Sequence, residues 1–487
     1  LSELSADALR VVGASHPQST AGQSQPRGLW VLFITEMWER FSYYGMRALL
    51  VLYLIASTDD ELAAGNPGFG WTEESAYLLY GIYTWAVYLT PILGGWLADR
   101  WLGTHRSLVV GGWIIAAGHC LLAATELFGI TAGAAVTFRT SPGALFTFMA
   151  GLSLIVIGTG FFKPCAAVMV GQLYRPGDPR RDGGFTIFYV GINVGAVLAP
   201  LIAGTLGEIY GWHLGFGAAA VGMILGIAIY QGMRSRYLDD IGLMPARSAA
   251  GRAADDEALS LVEWQRIAVI LVLAFIGNIA FWTAFEQAGS SMNVFAAQDT
   301  DRTVWGWLAE PFPATWYQSI NPAAVIVFGP VFAWLWVVLS RRNLNPSTPV
   351  KFALGLWLLG LAFLAMVFGA IEARTDLAGP HWLLITYVVY TWGELCLSPV
   401  GLSMVTKLSP VHLQSLMMGL WYFSFSLANL LAGFVARFSV RFESGESTFL
   451  IEGLPGFYLL LVVVPIIVGT LIVALAPMLR RWMHGVT

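Results

Sequence analysis

Apolar residues run along this chain in blocks far longer than a soluble core requires. The blocks fall at 29–56, 75–98, 106–130, 144–172, 184–210, 213–235, 264–295, 315–340, 350–372, 381–407, 414–438 and 455–479. A helix rises 1.5 Å per residue, so about 20 apolar residues cross a hydrocarbon layer ~30 Å thick. Each block meets that length, and twelve spanning helices are predicted. The longest polar break, 238–263, is rich in Ala, Arg and Asp and leaves six spans on either side. At 26 residues it is too short for two more spans of ~20 residues each, which excludes a fourteen-span chain.

Composition removes the soluble alternative. The chain is 57% hydrophobic and 11% charged, where soluble domains carry roughly 25% charged residues. So little charge cannot coat a water-facing surface of this size, and the surface must face lipid. The net charge of −4 says little about partners; the positions of the cations say more. With both ends cytosolic, 18 of the 26 Lys and Arg fall in cytosolic segments and five outside (Arg139, Arg302, Arg374, Arg437, Arg441), with Arg40, Arg47 and Lys163 inside spans. Cytosolic loops carry the positive excess, so both termini are predicted inside. The expected organisation is a mobile polar tail (1–28), a six-helix bundle (29–237), a cytosolic loop (238–263), a second six-helix bundle (264–480) and a short tail (481–487). This all-α polytopic pattern fits the major facilitator architecture, which binds substrate between its halves near the mid-plane.

The first span departs from apolar patterning. At about 100° per residue, with Glu36 at zero, Glu39 lies near −60°, Arg40 near +40°, Tyr43 near −20° and Arg47 near +20°. Two acids, two arginines and a tyrosine share one face. Each charge costs roughly 2.5–3.5 kcal/mol at the centre of a spanning helix, so this face must line a cavity or meet other helices. An ion cluster that only fixes packing is a weak reason to keep four charges, because buried pairs stabilise less than apolar packing.

The segment Glu36-x-x-Glu39-Arg40-Phe41-x-Tyr43-Tyr44-Gly45 resembles the first-helix signature of the proton-dependent oligopeptide transporter family. Further segments resemble the family's signatures in order: Gly94-Gly95-Trp96-Leu97-Ala98-Asp99-Arg100, Phe162-Lys163-Pro164, Phe188-Tyr189-x-x-Ile192-Asn193-x-Gly195, Phe285-Glu286-Gln287-Ala288-Gly289 and Gly393-Glu394-Leu395-x-Leu397-Ser398-Pro399-Val400-Gly401. One departure is Cys165, where many relatives have Asn. The resemblance implies a proton-coupled importer of di- and tripeptides. It assigns Glu36, Glu39, Arg40 and Lys163 to proton coupling, and Asn193 and Asn321 to the peptide amine. It also makes Tyr83, Trp282 and Trp421, with Tyr43, walls of the pocket; Trp282 gains weight from lying four residues before Glu286.

Charge counting adds a mechanism. Acids within spans are Glu36, Glu39, Glu286 and Glu394; bases are Arg40, Arg47 and Lys163, leaving one acid in excess. A carboxylate that exchanges its cationic partner for a proton is a workable coupling element. The cations Arg40, Arg47 and Lys163 in the first half would take a peptide carboxylate, with Glu394 opposite for the amine. Glu286 has three readings: a gate with Arg47, a pair with Lys163, or satisfaction within its own half. Asp99 and Arg100 read as a cytosolic latch, and Glu126 and Glu208 as interfacial. Gly158, Gly160 and Pro164 mark either compliant points or close helix packing. Cys120, Cys165 and Cys396 lack metal spacing, His119 lacks a partner set, and no phosphate-binding loop G-x-x-x-x-G-K-[ST] is present. The expectation is therefore a transporter and not an enzyme, driven by the proton gradient without a cofactor. Its partners are peptides, protons and lipid, with no nucleic acid, and it works as a monomer in a bacterial inner membrane.

Overall fold

A chain surrounded by hydrocarbon must satisfy its backbone polar groups internally, which favours helices. The structure, a computed structural model, describes residues 24–58, 65–127, 141–175, 178–243, 259–410 and 413–485. Most of the expected N-terminal tail, the middle of the expected central loop and Arg139 lie outside the described residues. The described residues form no sheet, only isolated bridges between Thr300 and Ala378 and between Phe449 and Ile451.

Helices α1 (Arg27–Ile55), α2 (Glu73–Leu97), α3 (Gly103–Ala124), α4 (Pro142–Gln172), α5 (Arg181–Ala199) and α6 (Trp212–Tyr237) precede the central break. After it come α7 (Leu261–Val272), α8 (Ile279–Phe285), α9 (Ser291–Gln298), α10 (Ile320–Arg341), α11 (Thr348–Glu372), α12 (His381–Leu408), α13 (Gln414–Glu443) and α14 (Leu454–Trp482). Local chemistry sets several starts. Thr72 accepts from the Ser75 amide at α2, Ser141 accepts from Ala144 with Pro142 opening α4, and Ser260 with Glu263 forms a reciprocal capping box at α7.

Ten helical runs are long and apolar enough to cross a membrane. The charged α1, 29 residues long, is not among them because of Glu36, Glu39, Arg40 and Arg47. The run Glu73–Ala124, 52 residues, contains both α2 and α3, joined through a short π-helical turn and Gly103 at φ 75°. The stretch expected as one continuous helix over 264–295 is instead broken: π-helical turns at Leu273–Asn278 follow α7, and a 3-10 turn at Glu286–Gly289 separates α8 from α9. Gly289 is required there, since a Cβ would collide with the Tyr80 hydroxyl.

α1 packs on α5 and α6, α3 on α4 and α6, and α2 on α4; later in the chain α11 packs on α12 and α14, and α10 on α12. The α3–α4 seam is backbone to backbone. A Cβ on Gly111 would lie 2.6 Å from the Gly158 carbonyl, and one on Gly118 2.7 Å from that of Gly151. Of the two roles open to Gly158 and Gly160, the structure uses close packing, Gly160 against Thr90. Gly94, in the loop motif, likewise meets the Gly160 carbonyl.

Contacts between the two halves run along α2 with α13 and α5 with α10. Their hydrogen bonds gather in the half of the molecule where α1 ends and α2 begins. Asn293 donates to the Ala48 carbonyl at 2.9 Å, Ser426 to Trp85 at 2.9 Å, and Ser319 to Val197 at 2.8 Å. Glu208, expected as an interfacial acid, accepts from the amides of Ala314 and Thr315 at 2.8 and 2.9 Å and so ties the halves together. At the opposite end Leu93 and Leu416 are 64% and 55% exposed. The expected Asp99–Arg100 latch is not closed; Arg100 lies over the Trp96 and Trp101 rings. The molecule is tied shut at one end, and no hydrogen bond or ion pair between the halves forms at the other among the described residues, which leaves that end open.

Candidate functional site

Between the halves lies a cavity of about 210 Å³. From the first half it is lined by Tyr44, Arg47, Tyr88, Tyr189 and Asn193, and from the second by Trp282, Phe285, Glu286, Asn321, Tyr390, Glu394, Tyr422 and Phe425, among others. The break after α8 presents Glu286 at its wall, and Pro399 lies one turn beyond Glu394 in α12. Interrupted helices facing a cavity are where polar groups are tolerated at membrane depth.

The charges form three stations. In the first, Arg40 donates Nη2 to Glu39 Oε1 at 2.7 Å and Nε to Glu39 Oε2, while Glu36 Oε1 lies 3.3 Å from Nε. All three are buried, and Glu36 Oε2 has no hydrogen-bond partner. Lys163, one of the partners open to Glu286, instead sets its Nζ 3.6 Å from the centre of the Tyr88 ring. No ion pair within 4.0 Å reaches it among the described residues. The charges acting on it are those of Arg40, Glu39, Glu36 and Glu286. Tyr88 lines the cavity and Lys163 does not; the aromatic face is an attractive seat for an ammonium.

In the second station Arg47 Nη2 meets Glu286 Oε2 at 2.6 Å, and its Nε donates to the Tyr80 hydroxyl at 2.7 Å. Of the three partners open to Glu286, the structure selects Arg47. This pair crosses between the halves and sits at the shut end of the cavity with Asn293 and Ala48.

The third station is Glu394. Asn321 Nδ2 donates to its Oε2 at 2.9 Å and to Thr391 Oγ1 at 2.9 Å. No cation within 4.0 Å pairs with Glu394 among the described residues. Arg40 is thus shared by Glu36 and Glu39, Arg47 is held by Glu286, and Lys163 and Glu394 are left, among the described residues, as an unpaired base and an unpaired acid, of which Glu394 faces the cavity.

Several expected site residues stand off the cavity wall. Glu36, Glu39, Arg40 and Lys163 lie behind it, so of the cations expected to meet a carboxylate only Arg47 lines it. Tyr43 and Tyr83 are also not on the wall. Each is buried with its hydroxyl lacking a hydrogen bond, and Tyr43 lies under the Arg40 guanidinium at 5.3 Å. A 100° step along α1 turns Tyr44 to the cavity instead. Trp421 packs into the second half against Phe352 and Gly401, fully buried. Asn193, Asn321 and Trp282 do line the cavity. Residues missed by sequence reading are Tyr44, Tyr88, Tyr189, Tyr390, Tyr422 and Phe425. Two carried a usable signal: Tyr189 and Tyr390 precede Asn193 and Glu394 by four residues, the spacing that singled out Trp282. At the departure Cys165, the thiol donates to the Phe161 carbonyl at 3.1 Å.

With that geometry in hand, similarity to known proteins is informative. The chain matches the model of the POT family over residues 105–242 and 248–450. It is 36% identical to an uncharacterized transporter, YclF, of Bacillus subtilis, covering 95% of this chain and 96% of that protein. It is 35% identical to the peptide transporter YePEPT of Yersinia enterocolitica, covering 84% and 87%, and 36% identical to a di-/tripeptide transporter of Lactococcus lactis, covering 82% and 86%. Among solved structures, a peptide transporter POT in complex with sulfate superposes with a TM-score of 0.81 at 34% identity, covering 95% of this chain and 96% of that one. A mutant in complex with alafosfalin gives 0.80 at 34% identity, with the same coverage. Matched in sequence and backbone over nearly its whole length, the chain belongs to the POT family.

Proposed function

We propose that this protein is a symporter that imports di- and tripeptides together with protons by alternating access. The carrying observation is Glu394, a cavity-facing carboxylate held by an amide and lacking a cation. A buried charge needs a partner, and a peptide ammonium supplies one. The peptide carboxylate then turns toward Arg47 across the cavity, and the tyrosines around it offer area without demanding one side-chain shape. The names of the relatives, peptide and di-/tripeptide transporters, support the same substrate class.

Coupling is assigned to Glu36, Glu39, Arg40 and Lys163. Glu36 Oε2 is an acceptor without a donor, so a proton arriving there meets no competing hydrogen bond. It neutralises one of the two carboxylates holding Arg40, which loosens Arg40 toward substrate. Arg47 and Glu286 act as the gate: while paired they keep one end shut, and their separation opens it. A proton moving through 100 mV releases ~2.3 kcal/mol, enough for roughly 50-fold accumulation.

The topology that goes with this reading has twelve spans, counting charged α1 and both arms of the Glu73–Ala124 run. They form two six-helix bundles (29–237 and 264–480) with cytosolic termini, in the inner membrane of a bacterium. The protein works as a monomer with no cofactor beyond the gradient. The open end is then cytosolic and the Arg47–Glu286 end external.

The test is uptake of labelled dialanine into proteoliposomes under an imposed inward proton gradient. Wild type is expected to accumulate dialanine, and Glu394→Gln to need roughly tenfold to hundredfold more peptide for half-saturation, the equivalent of losing a hydrogen bond to a charged group. Unaltered affinity in Glu394→Gln removes the amine assignment; no gradient-dependent uptake by wild type removes the symport reading.

A further inference from the structure

At the open end, away from the central cavity, α10, α11, α12 and the end of α14 enclose a second cavity of about 350 Å³, continuous with a cleft of about 920 Å³. Lys351 lines both and is only 9% exposed. No ion pair or hydrogen bond of its ammonium is formed among the described residues; it rests 4.5 Å from the centre of the Trp336 ring. Ser347 lines the cleft, and its hydroxyl is buried without a hydrogen-bond partner. Ser347 also precedes the first turn of α11, a 25-residue helix it does not cap with its side chain. Pro349 follows in that turn, and the amides of Thr348 and Val350 are left without backbone acceptors. Arg480 and Arg481 line the same cleft, and neither wall carries an acidic residue.

A buried unpaired ammonium, a helix N-terminus and two guanidinium groups converge on one space, with the orphaned Ser347 hydroxyl beside it. Each favours an anion, and together they favour one with several acceptor oxygens. The surroundings say which kind. The outer face of α10 beside the cavity is apolar and uncovered, with Trp334 64% and Val337 49% exposed. A ligand with a charged head and hydrocarbon tails satisfies both regions, whereas a soluble anion satisfies only the first. We propose that this pocket binds the phosphate headgroup of an anionic phospholipid, its acyl chains lying along α10. The transport reading enters only in assigning the pocket to the cytosolic leaflet, where basic pockets between helices meet anionic lipid.

Thermal unfolding of the purified full chain, titrated with dioctanoyl-phosphatidylglycerol, dioctanoyl-phosphatidylcholine or inorganic phosphate at matched ionic strength, tests this. A ligand that binds the folded state raises the melting temperature by mass action. The phosphatidylglycerol is expected to give a saturable rise that the phosphatidylcholine does not. Lys351→Gln is expected to weaken the response about tenfold, as for a lost charge-assisted contact. The double variant Arg480→Gln/Arg481→Gln, altered at an exposed helix end, is expected to weaken it as well. Equal responses to the two lipids, or a double variant that responds like wild type, overturn the site. A phosphate response matching that of phosphatidylglycerol overturns the lipid assignment. No peptide or gradient is involved, so failure here leaves the transport reading standing, and failed dialanine uptake leaves this site standing.

Discussion

Glu36 and Glu39 sit three residues apart on α1 and share Arg40, yet their environments differ. Glu39 meets the guanidinium with both oxygens, while Glu36 reaches it with one and leaves Oε2 unpartnered. That asymmetry makes Glu36 the better proton acceptor of the two, since a proton on Glu39 would have to displace an existing bond. Glu36→Gln keeps the shape and removes the titration. Gradient-driven dialanine uptake in this variant is expected to fall at least about tenfold, a loss of ~1.4 kcal/mol or more of driving, with counterflow exchange largely kept. Driven uptake at the wild-type level would exclude Glu36 as the coupler. The presence of this charged cluster was legible in sequence because four charges in one span are costly. Which oxygen lacks a partner, and that Lys163 rests on Tyr88, depends on side chains from α2 and α4 that no spacing rule within α1 predicts.

Among the elements, α2 and α13 meet backbone to backbone between the halves. A Cβ on Gly433 would lie 2.6 Å from the Gly81 Cα and 2.8 Å from the Tyr77 carbonyl. Gly433→Ala must push these backbones apart, at roughly 1–3 kcal/mol for an overpacked contact, charged only to the state in which this end is shut. Spin labels across the α2 start and the α13 end are expected to show a larger separated population in the variant; an unchanged distance distribution would mean the seam tolerates the methyl group. The same end carries Asp299, just beyond α9. Burial, and then the nearby Glu73 carboxylate, pushes its carboxyl up to about 6. A raised folded-state value means that its contribution to stability is complete below the ordinary Asp range and is lost as pH rises through about 6. Asp299→Asn is therefore expected to melt a few degrees higher than wild type at pH 8 and to lose that advantage at pH 4; an equal difference at both pH values would count against it. The helix-length blocks were readable from hydropathy, whereas the break at Glu286–Gly289 was not. It arises because Tyr80 of α2 lies against Gly289, a contact between elements more than 200 positions apart.

For the whole molecule, the distribution of cross-half hydrogen bonds defines a conformation shut near Arg47–Glu286, with none at the opposite end among the described residues. Joined to the loop-charge asymmetry, this predicts which side each end faces. In a background with the three native cysteines replaced, Gln298→Cys is expected to react with an impermeant thiol reagent on intact cells, and Thr406→Cys only in inside-out vesicles. Both positions are exposed. Labelling of Thr406→Cys from outside would invert the proposed topology.

The sequence by itself determined the material of this protein and the inventory of its site. Hydrophobic blocks longer than a soluble core needs, with too little charge for a water-facing surface, dictate helices in lipid, because hydrocarbon leaves the backbone no other partner. The cost of charge at depth likewise marked Glu36, Glu39, Arg40, Arg47, Lys163, Glu286 and Glu394, and counting showed one acid too many. Tertiary structure alone decided the pairing. Arg47 reaches Glu286 across 239 positions, Lys163 finds an aromatic face, and Glu394 faces the cavity without a cation within 4.0 Å among the described residues. Trp421 is withdrawn into packing while Tyr44 and Tyr390 take the wall. Helical periodicity fixes which residues share a face, but which face meets the cavity depends on how neighbouring helices pack, and that information is spread over the whole chain.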